Sequence, residues 1–270
     1  MMELFGYDFF LRATLAVLLT GLVAGIVGSF VVVRRMVFIS GGITHSSFAG
    51  LGLGFFLGQN PLLFALGAAL LSGLGVEWLS HKGQVREDSA IAAVWSLGMA
   101  VGILFTFLTP GYTPSLSSFL FGNILLVTPI ELGALLAYAL VTVAVVAKWY
   151  RPLVYISFDP QFMQVRGARC RLYQLLMMAW ICIGIVLCIR AMGIMMLMSM
   201  LTLPQMTVSP YVGSVGHLML YSSALSVLAV LAALFVSFYF NLPTGVVAVM
   251  LLSLLFLVSR GVLHLQRKRV

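Results

Sequence analysis

Charged side chains divide this chain into long apolar runs. Ala13 to Val33, Met36 to Val76, Ser89 to Ile130, Leu172 to Ile189 and Ala191 to Ser259 contain no Asp, Glu, Lys or Arg. A helix crosses the roughly 30 Å hydrocarbon core of a bilayer with about 20 apolar residues, so the last run alone crosses several times. Divided at Gly, Pro and Asn, the runs predict helices over 9 to 33, 38 to 57, 61 to 80, 89 to 109, 129 to 147, 171 to 190, 194 to 209, 217 to 239 and 244 to 263. The fold class is therefore all-α, a polytopic transmembrane bundle of about nine spans, with eight to ten as the range. The whole of 1 to 270 reads as one transmembrane domain.

Composition narrows the function. With 62% hydrophobic and 8% charged residues and a mean hydropathy of +1.13, no sequence remains for a soluble catalytic, nucleotide-binding or DNA-binding domain. ATP chemistry, if used, belongs to another chain. The net charge of +8 does not point to nucleic acid, because most of the basic residues sit between the apolar runs or in the tail: Arg34 and Arg35, Lys82 and Arg86, Lys148 and Arg151, Arg166, Arg169 and Arg171, and Arg267 to Arg269. The positive-inside rule places these groups in the cytoplasm, with the N-terminus outside and the C-terminus inside. Glu3 and Asp8 stand where a signal peptide carries basic residues, so the first run reads as a retained span. Cys170, Cys182 and Cys188 form no C-x-x-C pair and read as packing residues.

Small residues mark close helix approach. Gly50, Gly54 and Gly58 recur every fourth residue, and Gly21 and Gly25 repeat the spacing. The Gly50, Gly52, Gly54 cluster lies inside an apolar helix with no preceding strand, so it is not a dinucleotide fingerprint. No internal repeat stands out. Pro110 to Asn123, PGYTPSLSSFLFGN, is too short and polar to span and reads as a re-entrant or half-length element beside a pathway. Within the polar stretch from Lys148 to Arg171, Ser157 to Gly167, SFDPQFMQVRG, reads as a short amphipathic helix. Asp159 is its N-cap, Pro160 its first helical residue, and Phe162 and Val165 share a face. Such a helix suits docking to a soluble partner, or resting on lipid headgroups.

Four separated segments together resemble the membrane subunit of bacterial ABC importers for zinc, manganese and ferrous iron, the ABC-3 metal-ion permease family. They are VVVRRMVFISGGITHSSFAGLGLG (31 to 54), REDSAIAAVWSLGMAVGILF (86 to 105), SFDPQFMQVRG (157 to 167) and FYFNLPTGVVAVMLL (238 to 252). The resemblance implies a type II ABC importer-like fold in the bacterial plasma membrane and a permease homodimer. It also implies ATPase subunits docked at Asp159, Pro160, Phe162, Val165 and Gly167, and an extracytoplasmic metal-binding protein. The chain itself then binds no cofactor and hydrolyses nothing. Its cargo is a divalent metal ion, with zinc first and manganese or ferrous iron beside it.

His45 is the leading pathway residue. An ionisable side chain deep in an apolar helix is costly and faces a bundle interior or cavity, and neutral imidazole binds transition metals. The resemblance places an acid four residues earlier, where this chain has Gly41. It places acids also at Asn123 and Asn241, so the pathway set here is His45, Thr44, Asn123 and Asn241, with fewer fixed charges. Thr44, Ser46 and Ser47 solvate an ion or bond to helix carbonyls. His217 reads as a helix-end residue, His81 and His264 as loop and tail. Met192, Met195, Met196, Met198, Met200 and Met206 read as packing spread around a helix broken near Leu203, Pro204 and Gln205. Glu87 and Asp88 cap a helix start, and Glu131 attracts cations at the outer side or begins its helix. A permease for an iron chelate or corrinoid is the alternative within the transport class. An intramembrane enzyme is disfavoured, since the chain has no H-E-x-x-H, no G-x-S-x-G and no pair of intramembrane acids.

Overall fold

The computed structural model describes residues 8–82, 85–110, 122, 124–159, 163, 165 and 170–267. The helices are α1 (Asp8–Val33), α2 (Val37–Phe56), α3 (Pro61–Lys82), α4 (Glu87–Leu108), α5 (Pro129–Phe158), α6 (Cys170–Met192), α7 (Ile194–Met200), α8 (Leu203–Val208), α9 (Val215–Phe240) and α10 (Thr244–Arg267). Short 3-10 turns cover Ile124–Leu126 and Ser209–Tyr211, and no strand occurs among the described residues. Among the described residues, α1, α3, α4, α5, α6, α9 and α10 are the 7 helices able by length and composition to cross a membrane. The 20-residue α2 has the length but carries Ser40, Thr44, His45, Ser46 and Ser47.

Two expected spans differ from the structure. Residues 194 to 209 form two helices of 7 and 6 residues, α7 and α8, separated at Leu201 and Thr202. At about 1.5 Å per residue neither spans hydrocarbon. Pro204 is the second residue of α8 and has no N–H for the Met200 carbonyl four residues back, so a continuous helix loses a rung there. The expected span 129 to 147 instead runs on to Phe158. Its 30 residues bend at Trp149 (φ −114°, ψ 24°), three residues before Pro152, which likewise lacks an N–H for the Lys148 carbonyl.

The chain divides into two compact units, Met1–Arg35 with Ser117–Lys148 and Arg190–Val270, and Met36–Leu116 with Trp149–Ile189. In the first, α1 lies antiparallel against α9, since Gly21 meets Val227 and Gly25 meets Ser223. Ser223 Oγ donates to the Leu22 carbonyl at 3.3 Å. Phe10 extends the seam with ring contacts to Phe235 and Phe238. Asn241 ends α9, and α10 returns along it and packs on α7 and α8. Ser259 Oγ donates to the Thr207 carbonyl at 3.2 Å.

In the second unit α2 lies between α3 and α4. Lipid tails are as apolar as leucine, so burial alone does not hold membrane helices together; close packing of small residues does. A Cβ on Gly54 would come within 2.6 Å of the Pro61 Cα, and one on Gly52 within 2.5 Å of the Gly102 carbonyl oxygen. Both neighbours are backbone and have no rotamer to escape into. Gly58, expected to continue this stripe, instead terminates α2: its φ is +63° and nothing lies near its Cβ direction. Its N–H donates to the Phe55 carbonyl.

Candidate functional site

His45 lies midway along α2 and is half-buried. Its ring stacks on Trp95 of α4 at 4.5 Å between centroids and 11° between planes. The same α2–α4 seam brings Gly42 against Ile91 and Ser46 against Gly98, which fixes the register that sets imidazole over indole. Among the described residues the ring nitrogens of His45 make no hydrogen bond. The indole therefore holds the ring plane.

The hydroxyls around it turn back on their own helix. Thr44 Oγ1 donates to the Gly41 carbonyl at 2.8 Å, Ser46 Oγ to Ile43 at 3.1 Å and Ser47 Oγ to Thr44 at 2.7 Å. All three are buried. Gly41 is buried too, so the position where the resemblance expects an acid offers no side chain below His45.

Asn241 belongs to the other unit and is exposed, with φ 52° and ψ 41° in the left-handed region. Asn tolerates that conformation better than other side-chain-bearing residues, and its N–H closes α9 on the Ser237 carbonyl. Ser237 Oγ also bonds the Leu242 carbonyl and lies 2.9 Å from Thr244 Oγ1. Asn123 lies outside the described residues. Its neighbour Gly122 (φ +60°) packs against the backbone of Met192 and Gly193, and Gly193 also has a positive φ, 79°.

Of the two roles expected of it, Glu131 fills the helix start. Thr128 and Glu131 form a capping box, with the Thr128 N–H donating to Glu131 Oε2 at 3.0 Å and the Glu131 N–H to Thr128 Oγ1 at 3.3 Å. Arg190 donates to Glu131 Oε1 through Nε at 2.8 Å and through Nη2. A cation reaching Glu131 therefore meets a carboxylate already matched by a guanidinium.

Sequence reasoning missed two elements of this arrangement. Trp95 gave no sign of its partner. Gln205, read only as part of a helix break, is fully buried, and its Nε2 donates to the Met200 carbonyl at 3.2 Å and the Ala24 carbonyl at 2.9 Å. The side chain thus supplies the donor that Pro204 cannot, and ties the broken helix to α1. Met192, Met196 and Met200 are buried while Met195 is exposed, a packing arrangement. His217 sits at its helix start: its backbone N–H donates to Ser214 Oγ at 3.3 Å, and that hydroxyl lies 2.9 Å from its Nδ1.

Of the expected docking helix, Pro160, Phe162 and Gly167 lie outside the described residues. Asp159 directly follows α5, its N–H donating to the Tyr155 carbonyl at 2.8 Å, and Val165 is exposed. Among the described residues no group of three or more His, Cys, Asp or Glu side chains is placed to hold a metal ion.

The profile of the ABC 3 transport family matches residues 6–262. An uncharacterized membrane protein of Synechocystis sp. is 34% identical over 259 residues, covering 96% of this chain and 92% of its own. The manganese import system permease protein ScaB of Streptococcus parasanguinis is 29% identical over 262 residues, covering 97% and 93%. Among solved structures, PsaBC from Streptococcus pneumoniae in complex with Fab matches with a TM-score of 0.85 at 25% identity, covering 96% of this chain and 93% of that one.

Proposed function

Because this chain belongs to the ABC 3 transport family and is a multi-pass plasma-membrane protein, we propose that it is the permease subunit of an ATP-driven importer of divalent transition-metal ions. The observation that carries the reading is the match across nearly the whole chain, with relatives named as a manganese import system permease and a manganese transport system membrane protein. Those names put manganese ahead of zinc, which the resemblance placed first, and ferrous iron stays beside them. Oxygen donors with a single imidazole also suit manganese better than a thiolate-rich site would.

In this reading the N-terminus is outside, the C-terminus inside, and two copies form the working permease. His45 offers a ring nitrogen to the cation at mid-membrane. Thr44, whose proton goes to the Gly41 carbonyl, keeps oxygen lone pairs for it. Asn123 and Asn241 give neutral oxygens where a more acidic pathway would bind more tightly, so affinity rests with an extracytoplasmic binding protein. Separate ATPase subunits dock on Asp159 to Gly167, including Pro160, Phe162 and Val165. Their closure reaches the membrane through the bent end of α5, which runs directly into that segment.

The test is metal uptake by proteoliposomes holding the permease with its ATPase. His45→Ala is expected to lower manganese uptake by at least about tenfold, as ligand-shell losses do, while the complex still assembles and hydrolyses ATP. Unchanged uptake removes His45 from the path.

A further inference from the structure

The second unit carries two apolar grooves that meet on one face of α3. One, of about 560 Å³, lies between α3 and α6, lined by Leu71, Leu74, Gly75 and Leu175, with Glu77, Trp78 and Arg171 where α3 nears its end and α6 begins. The other, of about 340 Å³, is lined by Leu53, Leu63, Gly67 and Leu71. Sharing Leu71, they follow α3 from Leu63 to Trp78, about 22 Å at the helical rise. That is longer than one hydrocarbon leaflet of about 15 Å. Gly67 and Gly75 form the floor, and a Cβ on either would meet nothing within 4 Å.

The groove is apolar along its length and charged at one end. Arg171 is exposed and, among the described residues, joins no ion pair or hydrogen bond. Trp78 is 54% exposed beside it, placed as aromatic residues are at a membrane interface. Arg166 and Arg169 precede it in sequence. A helix from a second copy laid over this end would strip water from the exposed Arg171 guanidinium. A lipid covers the apolar length with its chain and keeps the charges at the wet headgroup level.

We propose that this groove is a binding site for an anionic phospholipid of the cytoplasmic leaflet, its acyl chain along Leu71, Gly75 and Leu175 and its phosphate on the Arg171 guanidinium. Arginine suits a phosphate because its planar fork donates two parallel hydrogen bonds. An arginine at the cytoplasmic end of a cleft between membrane helices recognises charge on the headgroup, not the chain.

The experiment is native mass spectrometry of the full chain exchanged into equimolar phosphatidylglycerol and phosphatidylcholine. Wild type is expected to retain phosphatidylglycerol about fivefold over phosphatidylcholine, the preference one arginine gives near a surface. Arg171→Gln, which keeps the shape, is expected to bring the ratio to about one. Gly75→Leu, whose side chain enters open space, is expected to lower retention of both lipids. Equal retention by wild type, or variants that behave as wild type, overturns the proposal. So does a dimer that Gly75→Leu splits into monomers, which would assign the groove to a second copy. The readout is lipid mass, so its failure is separate from a failure of metal transport.

Discussion

Replacing Gln205 with Leu removes the amide that spans the break between α7 and α8, at nearly constant volume. The structure sets the size of the effect. The Ala24 carbonyl keeps its α1 helical donor, so its loss is that of one neutral hydrogen bond, about 1 kcal/mol. The Met200 carbonyl has no alternative, because the residue four positions on is Pro204. Left buried and unpaired it costs about 1–3 kcal/mol. Leucine also removes the Gln205 Oε1, buried without a partner among the described residues, which offsets about 1 kcal/mol, so Gln205→Leu is expected to destabilise the protein by about 1–3 kcal/mol, read by reversible unfolding in mixed detergent micelles. Pro204→Ala supplies the missing N–H. In that background the same Gln205 substitution is expected to cost about 0 kcal/mol, a coupling of about 1–3 kcal/mol in the double-mutant cycle. An equal cost in both backgrounds would refute the idea that the glutamine stands in for the proline's absent donor.

Two further outcomes follow from the backbone. Gly52→Ala places a methyl 2.5 Å from the Gly102 carbonyl oxygen, and restoring ordinary contact parts α2 from α4 by about 1 Å, so a loss of about 1–3 kcal/mol is expected by the same unfolding assay; Gly67→Ala, in open space, is the neutral control. Asn241→Gly keeps the left-handed end of α9 and is expected to melt within a degree or so of wild type, whereas Asn241→Val meets the left-handed penalty of about 1–2 kcal/mol.

Much of the fold was legible in hydropathy. The ends of α1, α3 and α4 fall within about two residues of the expected ones, since their limits coincide with charged or turn-forming residues such as Arg34, Pro61 and Glu87. Hydropathy marks where a chain leaves hydrocarbon, not where its hydrogen bonds stop. For that reason α5 was taken to end before Lys148, although its helix continues past Arg151 and Pro152 to Phe158. The break in 194 to 209 was visible through Pro204, but its repair was not, because the Ala24 carbonyl that Gln205 reaches is 181 residues away.

The site was legible in part for the same reason. His45 stood out as an imidazole in an uncharged run. Its orientation depends on Trp95 and on the Gly98 and Gly102 contacts of α4, none of which leaves a mark near residue 45. Asn241 was read only for its amide, and its left-handed backbone gives it a structural reason to be Asn. Glu131 was read as a lure for cations or a helix start; it starts α5, and a partner 59 residues on, Arg190, already neutralises it.

The most direct test of the account is accumulation of radioactive manganese in proteoliposomes containing this chain, its ATPase and the metal-loaded binding protein. Uptake that needs ATP and all three components, and that His45→Ala removes, is the predicted result. Accumulation by this chain alone without ATP, or none with every component present and hydrolysing, would contradict it.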